Sequence, residues 1–438
     1  TYEVEDSTVA SVSPAGVVSP LSDGKTLLRA RLGSHSVALT VEVQDAEVKE
    51  PVSFRRDVVA LLARAGCNQG ACHGNFNGKG GFRLSLRGED PSQDWLALTR
   101  DALGRRVNRA EPDQSLIVLK PSGVITHEGG VRFSSDSIEA RALRDWIGAG
   151  QAVDDLASVP TVTRLEVFPT ERKLAPMTPA QQLVVTATFS DGSRRDVTRL
   201  AAYDLSEPTQ FRISVDGLVA AERPGEVVVA VRYLQARAVS RLAFLQDRPD
   251  FTWNPPAPRN AIDTLSFAKL KAIQVHPSPL ADDSTFRRRV FLDILGILPR
   301  VEETRAFLAD TDPAKRSKWI ARLVDRPEFA DFWAWKWADL LRNEEKTMGE
   351  KGVWIFQRWL RDELAGETGL DQITRALVSS TGSTWRNPPT AFHRTNRDPE
   401  TAAETVAQVF LGVRLQCARC HNHPFDLWTQ NDYYGLAA

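Results

Sequence analysis

Apolar and polar positions change rhythm several times along this chain, and each change marks a different kind of element. Alternation of period two runs through Val9–Val12, Thr26–Leu32 and Val37–Val43, broken by Gly, Pro, Asp and Ser. It returns at Leu183–Phe189, Phe211–Val215 and Val227–Val231. Alternation sends successive side chains to opposite faces, so these runs predict antiparallel strands of β-sandwich modules. The two stretches are copies: Tyr2, Gly16 and Gly24 recur as Tyr203, Gly217 and Gly225 at one constant offset. The second copy reads as complete from Val162 to Phe244, and the first lacks its opening strands.

Between the copies the period becomes helical. Ser53 can cap a helix in which Phe54, Val58, Leu61, Leu62 and Ala65 share a face, with Gly66 ending it. Ser137 to Ala149 predicts a second helix with Ile138, Leu143, Trp146 and Ile147 inward. The centre, Gly78-Lys79-Gly80-Gly81 running into Phe82–Arg87, predicts a glycine turn and a short strand.

Pro249, Pro255, Pro256 and Pro258 mark a joint, and from Ile262 onward the pattern is mainly helical. Phe286, Val290, Phe291 and Ile294 form one stripe. Trp319, Ile320 and Leu323 form another, behind Asp312-Pro313 as cap and first-turn proline. Asp398-Pro399 opens a further helix toward Gly412, and Trp333, Trp335, Trp337, Trp354 and Trp359 are expected in the core. The fold class is therefore multidomain. β-Sandwich modules alternate with a small mainly α domain and a larger mainly α domain. Residues 1–46 are a partial β module, 51–152 a small helical domain, and 160–247 a complete β module. Residues 248–261 are a Pro-rich linker, and 262–438 a helical domain that reads as truncated.

Composition narrows the function classes. A length of 438 residues suits about three domains. The formal net charge is -1 with no polybasic segment, which gives no reason to expect a nucleic-acid or anionic-membrane partner. No apolar run approaches the ~18 residues of a membrane helix. The opening Thr1-Tyr2-Glu3-Val4 is already strand-like and both ends read as cut, so the chain is expected to be part of a larger protein. No nucleotide loop, serine-hydrolase elbow or zinc-protease helix motif stands out.

All four cysteines fall in two elements, each closed by a histidine: Cys67-Asn68-Gln69-Gly70-Ala71-Cys72-His73 and Cys417-Ala418-Arg419-Cys420-His421. Two thiols followed at once by an imidazole is the order covalent haem attachment needs, for two thioether links and a proximal iron ligand. The second element has the standard spacing. The first carries two extra residues, and Gly70 is expected to let its loop fold tightly. No methionine lies in 51–150, where a distal ligand would be sought, but His127 does, in Thr126-His127-Glu128-Gly129-Gly130. His73 and His127 are therefore the expected iron ligands, with a disulfide between Cys67 and Cys72 as the competing reading.

For the second element Cys417 and Cys420 would be the thioether donors and His421 the proximal ligand. His276, His393 and Met348 are candidates for the opposite face, and an open sixth site is an alternative. The rivals are a zinc or iron site built from Cys417, Cys420, His421 and His423, and a disulfide without cofactor. Asp426 reads either as an acceptor for an imidazole N–H or as a turn carboxylate.

Three stretches resemble known families. Gly66–Gly74, Gly80-Gly81-Phe82-Arg83-Leu84-Ser85-Leu86 and His127-Glu128-Gly129-Gly130 are similar to the planctomycete-type cytochrome c domain. Val12-Ser13-Pro14-Ala15-Gly16-Val17 resembles the bacterial Ig-like group 2 pattern. Cys417–Asp426 with the following Trp-Thr-Gln and Asp-Tyr-Tyr-Gly stretch resembles the larger planctomycete cytochrome c-like domain. These resemblances imply haem c and an exported multidomain cytochrome in the periplasm or cell envelope, serving a redox partner protein or domain. The alternatives are a haem enzyme such as a peroxidase, with Arg419 and Asp426 as helpers, and a non-redox protein binding envelope polysaccharide. Arg287-Arg288-Arg289 reads as a solvated helix face.

Overall fold

The computed structural model describes residues 1–48, 50–154, 159–176, 178–423 and 426–438. Met177, Pro424 and Phe425 thus lie outside the described residues. The chain divides into two compact units, Thr1–Phe251 and Thr252–Ala438, the first rich in sheet and the second helical.

The first unit opens with β1 (Tyr2–Val4), β2 (Ala10–Val12), β3 (Val18–Pro20), β4 (Gly24–Leu32) and β5 (His35–Val43). They form a sheet of order β1-β4-β5 and a β2-β3 pair around a small core of Val9, Ala10 and Val43. The second copy is larger. Its strands are β6 (Val162–Phe168), β7 (Glu171–Leu174), β8 (Ala180–Gln182), β9 (Val184–Phe189), β10 (Arg194–Asp196) and β11 (Ala202–Leu205). They continue as β12 (Phe211–Ile213), β13 (Leu218–Ala221), β14 (Gly225–Tyr233) and β15 (Ala236–Phe244). Sheets of order β10-β9-β6, β11-β14-β15-β7 and β12-β13-β8 enclose one core in which Leu183, Val185, Val219, Val229 and Val231 are fully buried. The alternating apolar positions built these strands as expected, and the repeat is visible in detail. Gly16 turns at φ +82° beneath the Tyr2 ring, and Gly217 turns at +80° beneath Tyr203.

Between the copies, Phe54–Val58 opens as a π-type turn and continues into α1 (Val59–Arg64). The Ser53 hydroxyl caps it at Arg56 N, and Gly66 leaves it at φ +77°. Then follow α2 (Pro91–Thr99), α3 (Leu116–Leu119) and α4 (Ile138–Gly148), the last capped by Ser137. Phe54, Val58, Leu62, Leu98, Leu143, Trp146 and Ile147 form their core, and the Phe54 and Trp146 rings lie 5.1 Å apart. Ile138 stays only half buried. The short strand expected over Phe82–Arg87 is absent. Lys79–Gly81 and Leu86–Gly88 are single 3₁₀ turns instead. Gly78, Gly80, Gly81, Arg87 and Gly88 all take positive φ, which curls the segment back on itself.

The second unit runs α5 (Ala261–Ala272), α6 (Asp283–Leu295), α7 (Val301–Ala309), α8 (Lys315–Val324), α9 (Pro327–Leu340), α10 (Glu345–Met348), α11 (Glu350–Ala365), α12 (Leu370–Ser379), α13 (Ala391–Thr395), α14 (Pro399–Phe410) and α15 (Gln430–Ala437). Its larger core joins α9, α11, α12 and α13 through Ala334, Phe356, Leu360, Leu377 and Phe392. Phe291, Leu295 and Leu323 make a second core with Trp319, but Ile320 points outward. Asp312 accepts from Ala314 N, so α8 starts beyond the expected proline turn. The tryptophans divide: Trp337 and Trp359 pack on the larger core, whereas Trp335 and Trp354 are exposed. Among the described residues no helix is long and apolar enough to cross a membrane.

Candidate functional site

The first cysteine element leaves the buried end of α1. Cys67 N bonds Leu62 O, and the loop closes on itself through His73 N to Cys67 O and Gly74 N to Gln69 O. Its tightness comes from Gly66 and Gly74 rather than from Gly70. A Cβ on Gly74 would sit 2.1 Å from Asn68 O, whereas one on Gly70 would meet only Leu86, at 3.8 Å. The loop forms one wall of an open cleft enclosing about 1000 Å³ out to its mouth. Cys67, Cys72, His73, Phe82, Ile117 and His127 all line it.

The two histidines face each other across the cleft. Their ring centroids are 6.3 Å apart and their planes differ by 16°. His73 Nδ1 lies 3.1 Å from Lys79 O and 3.0 Å from Phe82 O, and His127 Nδ1 lies 2.9 Å from Gly130 O. A carbonyl only accepts, so each Nδ1 carries a proton, and in a neutral ring the lone pair would then sit on Nε2. That is the tautomer a metal-binding imidazole needs, fixed by main-chain acceptors. Burial holds the pKa of His73 below the ordinary imidazole value, and the nearby His127 and Arg106 push the same way. Burial thus disfavours the charged form of this ring.

These positions permit a test of whether haem iron fits. With metal–nitrogen bonds of about 2 Å and ring nitrogens roughly 1.1 Å from their centroids, two imidazoles on opposite sides of one metal would have centroids about 6.2 Å apart. The observed 6.3 Å agrees. The cysteines fit thioethers better than metal thiolates. Both are free thiols, and burial pushes Cys67 up to about 12, so an uncharged sulfur suits the position. The Arg132 guanidinium lies 3.6 Å from the Cys72 sulfur. Lys79, Arg105, Arg106, Lys120 and Arg132 line the cleft with Glu128 as its one acid, an excess of positive charge suited to carboxylate groups on a bound molecule. Arg106 is buried, lies 4.4 Å over the Phe82 ring and donates to Ala97 O and Gly81 O. Sequence pattern missed Arg106, Arg132 and the carbonyls of Lys79 and Phe82. The glycine-rich run before Phe82 was their only signal.

The second element has a different setting. Cys417 lies in a 3₁₀ turn (Gln416–Arg419) and is half buried; Cys420 is exposed, and both are free. The turn is held from α15: Tyr434 Oη and Gln430 Nε2 donate to Arg419 O, and Tyr433 Oη donates to Glu404. His421 Nδ1 bonds Asn422 O at 2.7 Å, and His423 N bonds Trp428 O at 2.7 Å. Asp426 accepts from Leu427 N, as a turn carboxylate does. Among the described residues no three His, Cys, Asp or Glu side chains converge as metal ligands, so Cys417, Cys420, His421 and His423 are not gathered into one set. Met348 is buried in the larger core of the unit rather than in the Ala407, Leu415, Ala418 and Tyr433 cluster beneath this turn. His393 is exposed beside Phe392, and His276 stacks on Trp253.

No curated protein matches the chain. A solved structure described as surface layer protein SbsC, domains 4-9, is 10% identical and covers 57% of this chain and 22% of its own. This chain thus spans about a fifth of that protein's length, and at a TM-score of 0.15 the likeness carries no argument about the fold. The match that bears on the chain lies in the second unit, outside the cleft: residues 261–438 fit the family model PSCyt2, described as a protein of unknown function (DUF1549).

Proposed function

We propose that residues 51–152 form a c-type haem domain and that the protein carries electrons at the cell envelope. The observation that carries this reading is a pair of near-parallel imidazoles, with ring centroids 6.3 Å apart, in one cleft with two free cysteines. In this reading Cys67 and Cys72 would hold the group by thioether bonds, and His73 and His127 would be the ligands of its iron. A haem so held supplies one-electron oxidation and reduction. The chain's own residues do the rest. Main-chain carbonyls orient both rings, Phe82 and Ile117 line the wall, and the basic side chains would face carboxylates of the bound group.

If both His73 and His127 served as ligands, the chain itself would supply two nitrogens to the iron, which favours electron transfer over peroxidase chemistry. The resemblance of the β modules to bacterial Ig-like domains, and the maturation such haems need, support an exported protein with a redox partner. The second element is assigned no cofactor in this proposal.

The test is the pyridine haemochrome of protein matured in a host equipped for cytochrome c assembly. One covalent haem per chain is expected, lost in Cys67→Ala and kept in Cys417→Ala. A colourless wild-type protein would overturn the reading and leave the envelope-binding alternative.

A further inference from the structure

The two β modules end in equivalent hairpins that have different surroundings. In the first copy Leu32 pairs with His35 across Gly33-Ser34, and in the second Tyr233 pairs with Ala236 across Leu234-Gln235. The first loop residue takes positive φ in both, +57° at Gly33 and +52° at Leu234. A glycine adopts that conformation freely, and a leucine does so at a cost. The exposed hairpin has the glycine, and its Leu32 is 82% exposed. The hairpin with the strained leucine is partly covered: Tyr233 is 1% exposed, and the half-buried Leu234 packs against both the β core and the core of 51–152, while Gln235 is exposed.

Several contacts of this tip lead to the first cysteine element. Tyr233 Oη donates to Arg56 O at 2.9 Å, on the turn that opens α1. Gln235 Nε2 donates to Gly88 O at 3.3 Å. The neighbouring Arg87 N bonds Asn68 O, inside the cysteine loop, and a Cβ on Gly88 would lie 3.4 Å from Asn68 Nδ2. The β module grips the same helix elsewhere. Arg195 bonds Asp57 at 2.6 Å, Arg64 reaches Val215 O at 3.2 Å, and Ala60 sits in the β core.

We propose that Tyr233-Leu234-Gln235 is a positioning key, which seats the cysteine-bearing helix and loop in the geometry that the cleft requires. The strain at Leu234 is retained because its side chain joins two cores. The second β module is therefore part of the cleft's scaffold and not a spacer. The docking itself stands on contacts of the chain alone; its consequence for haem loading rests on the function proposed above.

The test uses the full chain. Leu234→Gly relieves the strained φ and removes the wedge, so the two accounts predict opposite signs. A positioning key gives a lower unfolding midpoint in the haem-free protein. Amide exchange at Leu62, Cys67, His73 and Arg87 speeds up about tenfold or more, as losing a leucine's packing implies. Leu234→Met, similar in volume, restores protection. Gly33→Leu, the converse change in the free hairpin, leaves those amides unchanged. A raised midpoint with unchanged exchange in Leu234→Gly would overturn the proposal, as would equal loss of protection in Gly33→Leu. Because exchange is read without haem, it decides the docking separately. If wild-type protein binds no haem but Leu234→Gly loses protection, the key stands and the haem reading fails. If the key and the haem reading both hold, Leu234→Gly also lowers the yield of covalent haem.

Discussion

The two cysteine elements carry the same three side chains, two thiols and an imidazole, and sit in unlike surroundings. The second keeps the standard spacing, on a short turn with Cys420 exposed and His421 bonded to its neighbour's carbonyl. The first departs from that spacing, yet it lies at the end of a buried helix, in a cleft, with a second imidazole 6.3 Å away. A spacing rule alone would rank them the wrong way round for completeness of a site. What distinguishes them is supplied from elsewhere in the chain: the Lys79 and Phe82 carbonyls, the His127 loop, and the basic side chains of the cleft.

The comparison can be broken most sharply at the proximal histidines. On the proposed reading His73→Ala abolishes the six-coordinate low-spin absorption spectrum, whereas His421→Ala leaves it unchanged. Equal loss in both would place a haem at each element. Next in size, His127→Met should raise the midpoint potential by on the order of 100 mV, a fraction of the roughly 0.8 V that axial ligands span. Equilibrium redox titration reads this directly, and an unchanged potential would remove His127 from the ligand set.

A pH series separates the two units. Asp94 is buried, and burial raises its carboxyl to about 6 although Ser85 N and Oγ both donate to it. The folded state thus holds this proton more tightly than an unfolded chain, where it leaves near 3.9. Between those values the native state binds more protons, so stability falls as pH rises from about 4 to about 6, by up to ~3 kcal/mol. Urea unfolding of the first unit should show that loss and Asp94→Asn should flatten it. The smallest contrast is between two glycines. Gly74→Ala forces a Cβ against Asn68 O and should cost roughly 2–3 kcal/mol. Gly412→Ala, just before the second element, meets no atom within 4 Å and carries only a left-handed φ, so about 1 kcal/mol is expected. Thermal unfolding of the two variants checks the difference.

Much of the cleft's frame was legible because it is local. Ser53 and Ser137 cap helices whose apolar faces repeat at helical spacing, and Gly66 ends the first of them where its residue type suggested. His127 could be singled out as the histidine that follows the cysteine motif within the same helical domain. The rest depends on contacts between distant segments. Phe82–Arg87 has the composition of a strand, but a run of positive-φ glycines and the approach of Gly78 to Phe82 O turn it into two tight bends. Trp335 and Trp354 carry no mark that separates them from the buried Trp337 and Trp359, because aromatic content does not reveal which face of a helix meets the core. Nothing in the residue type marks Leu234, whose role rests on its positive φ and on the two cores it joins.

The carbonyl tethers on His73 and His127 have a further consequence for speed. Each ring is held at its Nδ1 by main-chain oxygen, and the main chain there is fixed by tight turns. A centre whose ligands are locked in place before an electron arrives has little nuclear rearrangement to make when its charge changes. On the proposed reading, electron self-exchange in this domain would be governed by how closely a partner can approach the cleft mouth, and hardly at all by motion of the two rings.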